Sequence, residues 1–69
     1  MELFVRPTLG DIVIWRQSHG VFYVSRFPGP YQFSCATLTE AIATARRVVR
    51  ATDQARVLYT RNGVRFEKI

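Results

Sequence analysis

One cysteine, Cys35, and one histidine, His19, are all the thiol and imidazole that the 69-residue chain contains. An intrachain disulfide needs two cysteines and a structural zinc site takes four Cys/His ligands, so two common staples of small folds are excluded. We expect no metal and no cofactor. Long apolar runs are also missing. No stretch approaches the ~20 residues of a membrane-spanning helix. Met1 to Pro7, interrupted by Glu2 and Arg6, lacks the roughly 7–15-residue apolar core of a signal peptide. With a lone thiol that suits a reducing compartment, these absences predict a cytoplasmic protein without membrane contact.

Acidic residues are few and scattered. Glu2, Asp11, Glu40, Asp53 and Glu67 show no spacing that would pair a general acid with a general base. Gly10, Gly20, Gly29 and Gly63 stand in separate turns, so no glycine-rich phosphate loop is present. Cys35 alternates with Phe33 and Tyr31, the pattern of a small buried hydrophobe, and His19 lies in a distant Gly-containing turn rather than beside it. No catalytic residue is assigned, and the chain is expected to bind rather than to catalyse.

What remains is apolar and basic. Hydrophobic residues make up 48% and charged residues 22% of the chain, a balance that suits one packed domain spanning residues 1–69. A core this small supplies no more than about 3–5 kcal/mol. With disulfides and zinc excluded, self-association as a homodimer is the remaining source of extra stability. The net charge is +5, and Lys68 is the single lysine among ten Lys and Arg residues. Arginine presents a planar fork to phosphate and stacks on bases, so an anionic partner is expected, nucleic acid foremost. The candidate contacts are Arg16, Arg26, Arg46, Arg47 and Arg50. Their alternative role is to complement the negative end of a helix dipole or to pair with Glu40, Asp53 or Glu67.

The elements follow one another without linkers. Asp11 to Gln17 (DIVIWRQ), Val21 to Phe27 (VFYVSRF) and Tyr31 to Ala36 (YQFSCA) are β-branched and aromatic, separated by Ser18-His19-Gly20 and Pro28-Gly29-Pro30. They predict a three-stranded antiparallel meander. Met1 to Val5 is a candidate edge strand. Thr37 followed by Glu40 has capping-box spacing, and Leu38, Ala41, Ile42, Ala45, Val48 and Val49 form one stripe, so a helix runs from Leu38 to about Thr52. Asn62-Gly63 predicts a two-residue type I′ turn in a closing hairpin. That turn places Tyr59 opposite Phe66 and Val57 opposite Lys68, with Val57, Tyr59, Val64 and Phe66 in the core and Leu58, Thr60, Arg65 and Glu67 on the wetter face. The expected fold is α+β, βββαββ: a mainly antiparallel sheet of four to five strands with one helix on one face.

One helix cannot cover both faces of such a sheet. Ile12 and Ile14 point one way and Val13 and Trp15 the other. A three-residue loop at Pro28-Gly29-Pro30 pairs Phe27 with Tyr31 and Ser25 with Phe33, which collects Tyr23, Phe27, Tyr31, Phe33 and Cys35 on one side and Phe22, Val24 and Ala36 on the other. The register of the first hairpin stays open, because a one-residue slip exchanges the faces. Trp15, Tyr23, Phe27, Tyr31 and Phe33 are therefore the candidate interface, covered by a second copy, another protein or unstacked bases.

Gly20, Phe22 and Val24, then Thr39-Glu40-Ala41-Ile42 leading through Ala45-Arg46, then Asn62-Gly63-Val64, give Gly20 to Ile69 a resemblance to a family of short bacterial proteins known as a domain of unknown function. That family usually has tryptophan where this chain has Phe22, and it implies no catalytic residues. Gly20 to Val24 with Phe27-Pro28-Gly29 and Leu38-Thr39-Glu40-Ala41 also resemble the amino-terminal domain of HicB antitoxins. This second resemblance implies oligomerisation and a toxin partner, although the acidic residue usual after the proline is absent. The reading is a small basic bacterial binding module, nucleic-acid-binding or, alternatively, an antitoxin-like protein-interaction module.

Overall fold

The computed structural model describes residues 4–17, 19–52 and 55–69, without the side chains of residues 31 and 50–52. Six strands and one helix follow in the order β1 (Phe4–Val5), β2 (Ile12–Arg16), β3 (Phe22–Arg26), β4 (Tyr31–Cys35), α1 (Leu38–Thr52), β5 (Val57–Thr60) and β6 (Phe66–Lys68). They form one sheet in the order β1-β6-β5-β2-β3-β4. The fold is α+β, with the expected meander, helix and closing hairpin. Of the proposed edge strand, Phe4 and Val5 pair with β6, while residues 1–3 lie outside the described residues.

The first hairpin closes with Gln17 N–H donating to the Val21 carbonyl (2.8 Å) and Gly20 N–H to the Gln17 carbonyl (3.1 Å). Gly20 takes φ 83°, a left-handed conformation that costs glycine little. This loop sets Ile14 opposite Val24 and Arg16 opposite Phe22, which resolves the open register. Helix α1 starts where expected: Thr37 Oγ1 accepts the Glu40 N–H at 3.1 Å, and the acidic Glu40 sits in the positively polarised first turn.

Crossing over the sheet, α1 delivers the chain beside β2, and β5 runs parallel to it with Ile12 beside Val57 and Ile14 beside Tyr59. This is the one parallel pairing in the sheet among the described residues. Ile12, Ile14, Val24, Cys35, Ala41 and Ala45 form the core between sheet and helix, joined by Phe22, Ile42, Val48, Val49, Val57 and Tyr59.

Two registers differ from expectation. Val24 pairs with Phe33 and Phe22 with Cys35, and a bulge then sets Ser25 against Tyr31. Meanwhile Phe27 N–H turns to the Asp11 carbonyl (2.7 Å) and Gly10 N–H to the Phe27 carbonyl (2.9 Å), so Phe27 pairs with the approach to β2 rather than with Tyr31. The one-residue slip moves Phe33 and Cys35 to the helix side with Phe22 and Val24, away from Tyr23 and Phe27. In the closing hairpin Tyr59 pairs with Glu67 and Leu58 with Lys68. The turn is longer than two residues because side chains close it: Thr60 Oγ1 accepts the Gly63 N–H (2.9 Å), and Asn62 Oδ1 accepts those of Val64 (2.8 Å) and Arg65 (3.0 Å). Phe66 therefore leaves the Val57–Tyr59 face, Val64 projects into solvent, and Leu58 and Thr60 are buried instead.

Candidate functional site

The strongest polar cluster clamps the entry to β2. Asp11 is buried, and its carboxylate accepts from Arg56 Nη2 (2.7 Å), Arg56 Nε (3.2 Å), Thr8 N–H (2.7 Å) and Thr8 Oγ1 (3.0 Å). Arg56 Nη2 also donates to the Arg6 carbonyl at 2.9 Å. Burial raises the pKa of the Asp11 carboxyl, but the bonds from Arg56 and Thr8 outweigh it and hold the value below the ordinary one. The same pairing raises that of Arg56. Three of these bonds fall on Oδ2 and one on Oδ1, all from the chain's own donors, so this cluster ties residues 6–11 to the start of β5.

Arg16, Arg26, Arg46 and Arg47 are exposed. Among the described residues none of them forms an ion pair, whereas Arg56 does, with Asp11. Glu40 and Glu67 do not neutralise them, and Asp53 lies outside the described residues, as does the side chain of Arg50. The arginines do not form one stripe. Arg16 faces Phe22 at one end of the β2–β3 pair, and Arg26 faces Ile12 at the other. On the helix, Thr44 Oγ1 contacts Cys35 Sγ of β4 at 3.6 Å. At about 100° per residue, the opposite flank carries Ile42, Val49 and Arg46 and borders β5, while Arg47 lies toward the β4 side.

Of the proposed interface residues, Trp15, Tyr23 and Phe27 do come together. On the sheet face away from α1 they line an apolar cleft of about 450 Å³ with Val13, Phe66 and the Pro28-Gly29-Pro30 turn. The turn after β5 closes one end, with Gly63 lying against the Trp15 ring. The cleft is smaller than a bare sheet face because Val13, Leu58 and Thr60 are already buried by their neighbours, while Trp15 keeps 44% of its surface. Phe33 is also exposed but belongs to the helix side, and the side chain of Tyr31 lies outside the described residues.

A second concavity was not anticipated. Helix α1 packs against β2, β3, β4 and β5 but not against β6 or β1, so the helix side of the last two strands is open. There Phe4, Tyr59, Arg61, Asn62, Arg65 and Glu67 line a trough of about 340 Å³. The Arg65 guanidinium carbon sits 5.4 Å from the centre of the Phe4 ring, within cation–π range. Neither Arg61 nor Arg65 is within ion-pair distance of Glu67 among the described residues. The clue lay in the alternation of strand side chains, but only the slipped β5–β6 register brings Tyr59 and Glu67 together.

The only cysteine, Cys35, is buried and unpaired, and no group of three His, Cys, Asp or Glu side chains converges among the described residues. No helix among them is long and apolar enough to cross a membrane. No family model, curated protein or solved structure matches the chain.

Proposed function

We propose that the protein is a non-catalytic nucleic-acid-binding module. The observation that carries this reading is the disposition of charge: Arg56 spends its guanidinium on Asp11, while Arg16, Arg26, Arg46, Arg47, Arg61 and Arg65 have no carboxylate partner among the described residues. Arginines that served to neutralise Glu40 or Glu67 would be paired with them. Unpaired guanidinium groups on a chain of net charge +5 attract phosphate and release its counterions. The test is titration of short single- and double-stranded DNA and RNA at two salt concentrations. Association should be measurable at low salt and fall steeply at higher salt; no binding at low salt would refute the reading.

The apolar cleft favours a second reading, a protein-interaction module that self-associates or takes a partner of antitoxin type, with Trp15, Tyr23, Phe27 and Phe66 at its centre. Light scattering across concentrations tests it. A monomer of 8.0 kDa at high micromolar concentration would refute the self-association.

A further inference from the structure

We propose that the trough between α1 and the β6–β1 edge, lined by Phe4, Tyr59, Arg61, Asn62, Arg65 and Glu67, holds one nucleotide unit of a single strand, its phosphate on Arg61 and Arg65. This assignment rests on the nucleic-acid reading and gives it a location and a strand type.

Two arginines without carboxylate partners among the described residues line a single concavity, which suits one anionic group better than the diffuse field of the helix arginines. Arg65 is also pre-placed. Stacked over Phe4, its guanidinium is attracted by the ring face while the N–H edges remain able to donate, so little side-chain freedom is lost when a phosphate arrives. The shape suits a single strand better than a duplex. Phosphates of a double helix lie on its convex outside, whereas a recessed site of about 340 Å³ admits a unit whose base is unstacked and can meet an aromatic side chain. Phe4, with 38% of its surface exposed, and the half-buried Tyr59 provide the aromatic surface. Arg46 sits on the helix flank that borders β5, so the approach to the trough is basic on that side too. Glu67 is the one acidic lining residue among the described residues, and it stands across from Tyr59. Its carboxylate repels phosphate and accepts from an exocyclic base amine, which orients the unit with its phosphate toward the arginines.

The experiment compares R61Q/R65Q with R46Q/R47Q, which remove equal charge, by fluorescence anisotropy on a labelled RNA strand of about ten nucleotides, a length within single-strand site sizes, and on its duplex. Circular dichroism verifies that both variants fold. R61Q/R65Q should weaken single-strand binding by about tenfold or more and reduce the salt slope by about 0.7, the value for one phosphate of a single strand. R46Q/R47Q should weaken strand and duplex alike and by less. E67Q should bind the strand more tightly than the parent. If the wild type binds no nucleic acid, the functional reading fails and the assignment with it. If the wild type binds but R61Q/R65Q loses no more than R46Q/R47Q, or the duplex binds as tightly as the strand, the trough assignment fails while the reading stands. Equal affinity for a nucleoside monophosphate would overturn the assignment to a strand.

Discussion

Gly63 shows how one missing methyl group holds a loop in place. A Cβ there would lie 2.6 Å from Trp15 Cζ2 and 2.9 Å from Cη2, and φ is +75°. Gly20 has a similar φ of +83° with nothing within 4 Å. The pair separates backbone cost from steric cost. G20A should lose about 1 kcal/mol through the left-handed backbone alone. G63A should lose about 2 kcal/mol or more, because the indole is driven from its seat as well. Trp15 is the only tryptophan, so its emission in G63A should shift while that of G20A stays at the parental wavelength, with stability read by urea unfolding. Asp11 makes a different argument at the same scale. Its folded pKa lies below the ordinary carboxyl value, so the folded state favours the ionised form. The resulting stability is present above the unfolded value of about 3.9 and is lost as pH falls through the lower folded value. D11N should therefore melt lower than the parent at pH 7 and show a flatter decline between pH 5 and 2, which thermal melts across that range would measure.

Among the elements, the helix owes most to local chemistry, and it was the most legible. Thr37 and Glu40 marked its start and the apolar stripe its inner face, and both are read within one or two turns of chain. T37A, which removes the hydroxyl that accepts the Glu40 N–H, should cost about 1 kcal/mol, with T37S close to the parent in chemical denaturation. The strands were legible from composition, but their registers were not. Asn62-Gly63 marked the final hairpin correctly, yet Thr60 and Asn62 use their own side chains to close a wider turn, and that slip moved Phe66 from the Val57–Tyr59 face to the face of Leu58. The bulge at Val24/Ser25 did the same to Phe33 and Cys35. The parallel contact of β2 with β5 has no local signature, because its two strands are joined by β3, β4 and the whole helix. The one hint was that Ile12, Val13 and Ile14 are all apolar, as befits a strand buried on both faces. The trough was illegible for the same reason: Phe4 meets Arg65 only through the β1–β6 pairing.

Taken as a whole molecule, the protein presents two surfaces of different chemistry on opposite sides of one sheet, and the contacts proposed for them should respond to salt in opposite directions. The helix side carries the trough and arginines that have no carboxylate partner among the described residues. The other side carries an apolar cleft with no acidic and no basic lining residue among the described residues. The proposed phosphate binding on the first side would be driven by counterion release and should weaken as salt rises. Self-association on the second side must bring together two copies that each bear +5. Their repulsion extends over a Debye length of about 10 Å at 0.1 M salt and about 3 Å at 1 M, so added salt relieves it while apolar contact is left intact. Sedimentation velocity between 0.05 and 1 M salt should thus show association of the free protein growing with ionic strength. Anisotropy of a labelled strand over the same range should show binding lost. Substituting Phe27 by serine, in the lining of the cleft, should abolish the first trend and leave the second untouched. If both trends fall together with salt, the copies are held by charge rather than by the cleft, and the apolar side is not the contact surface.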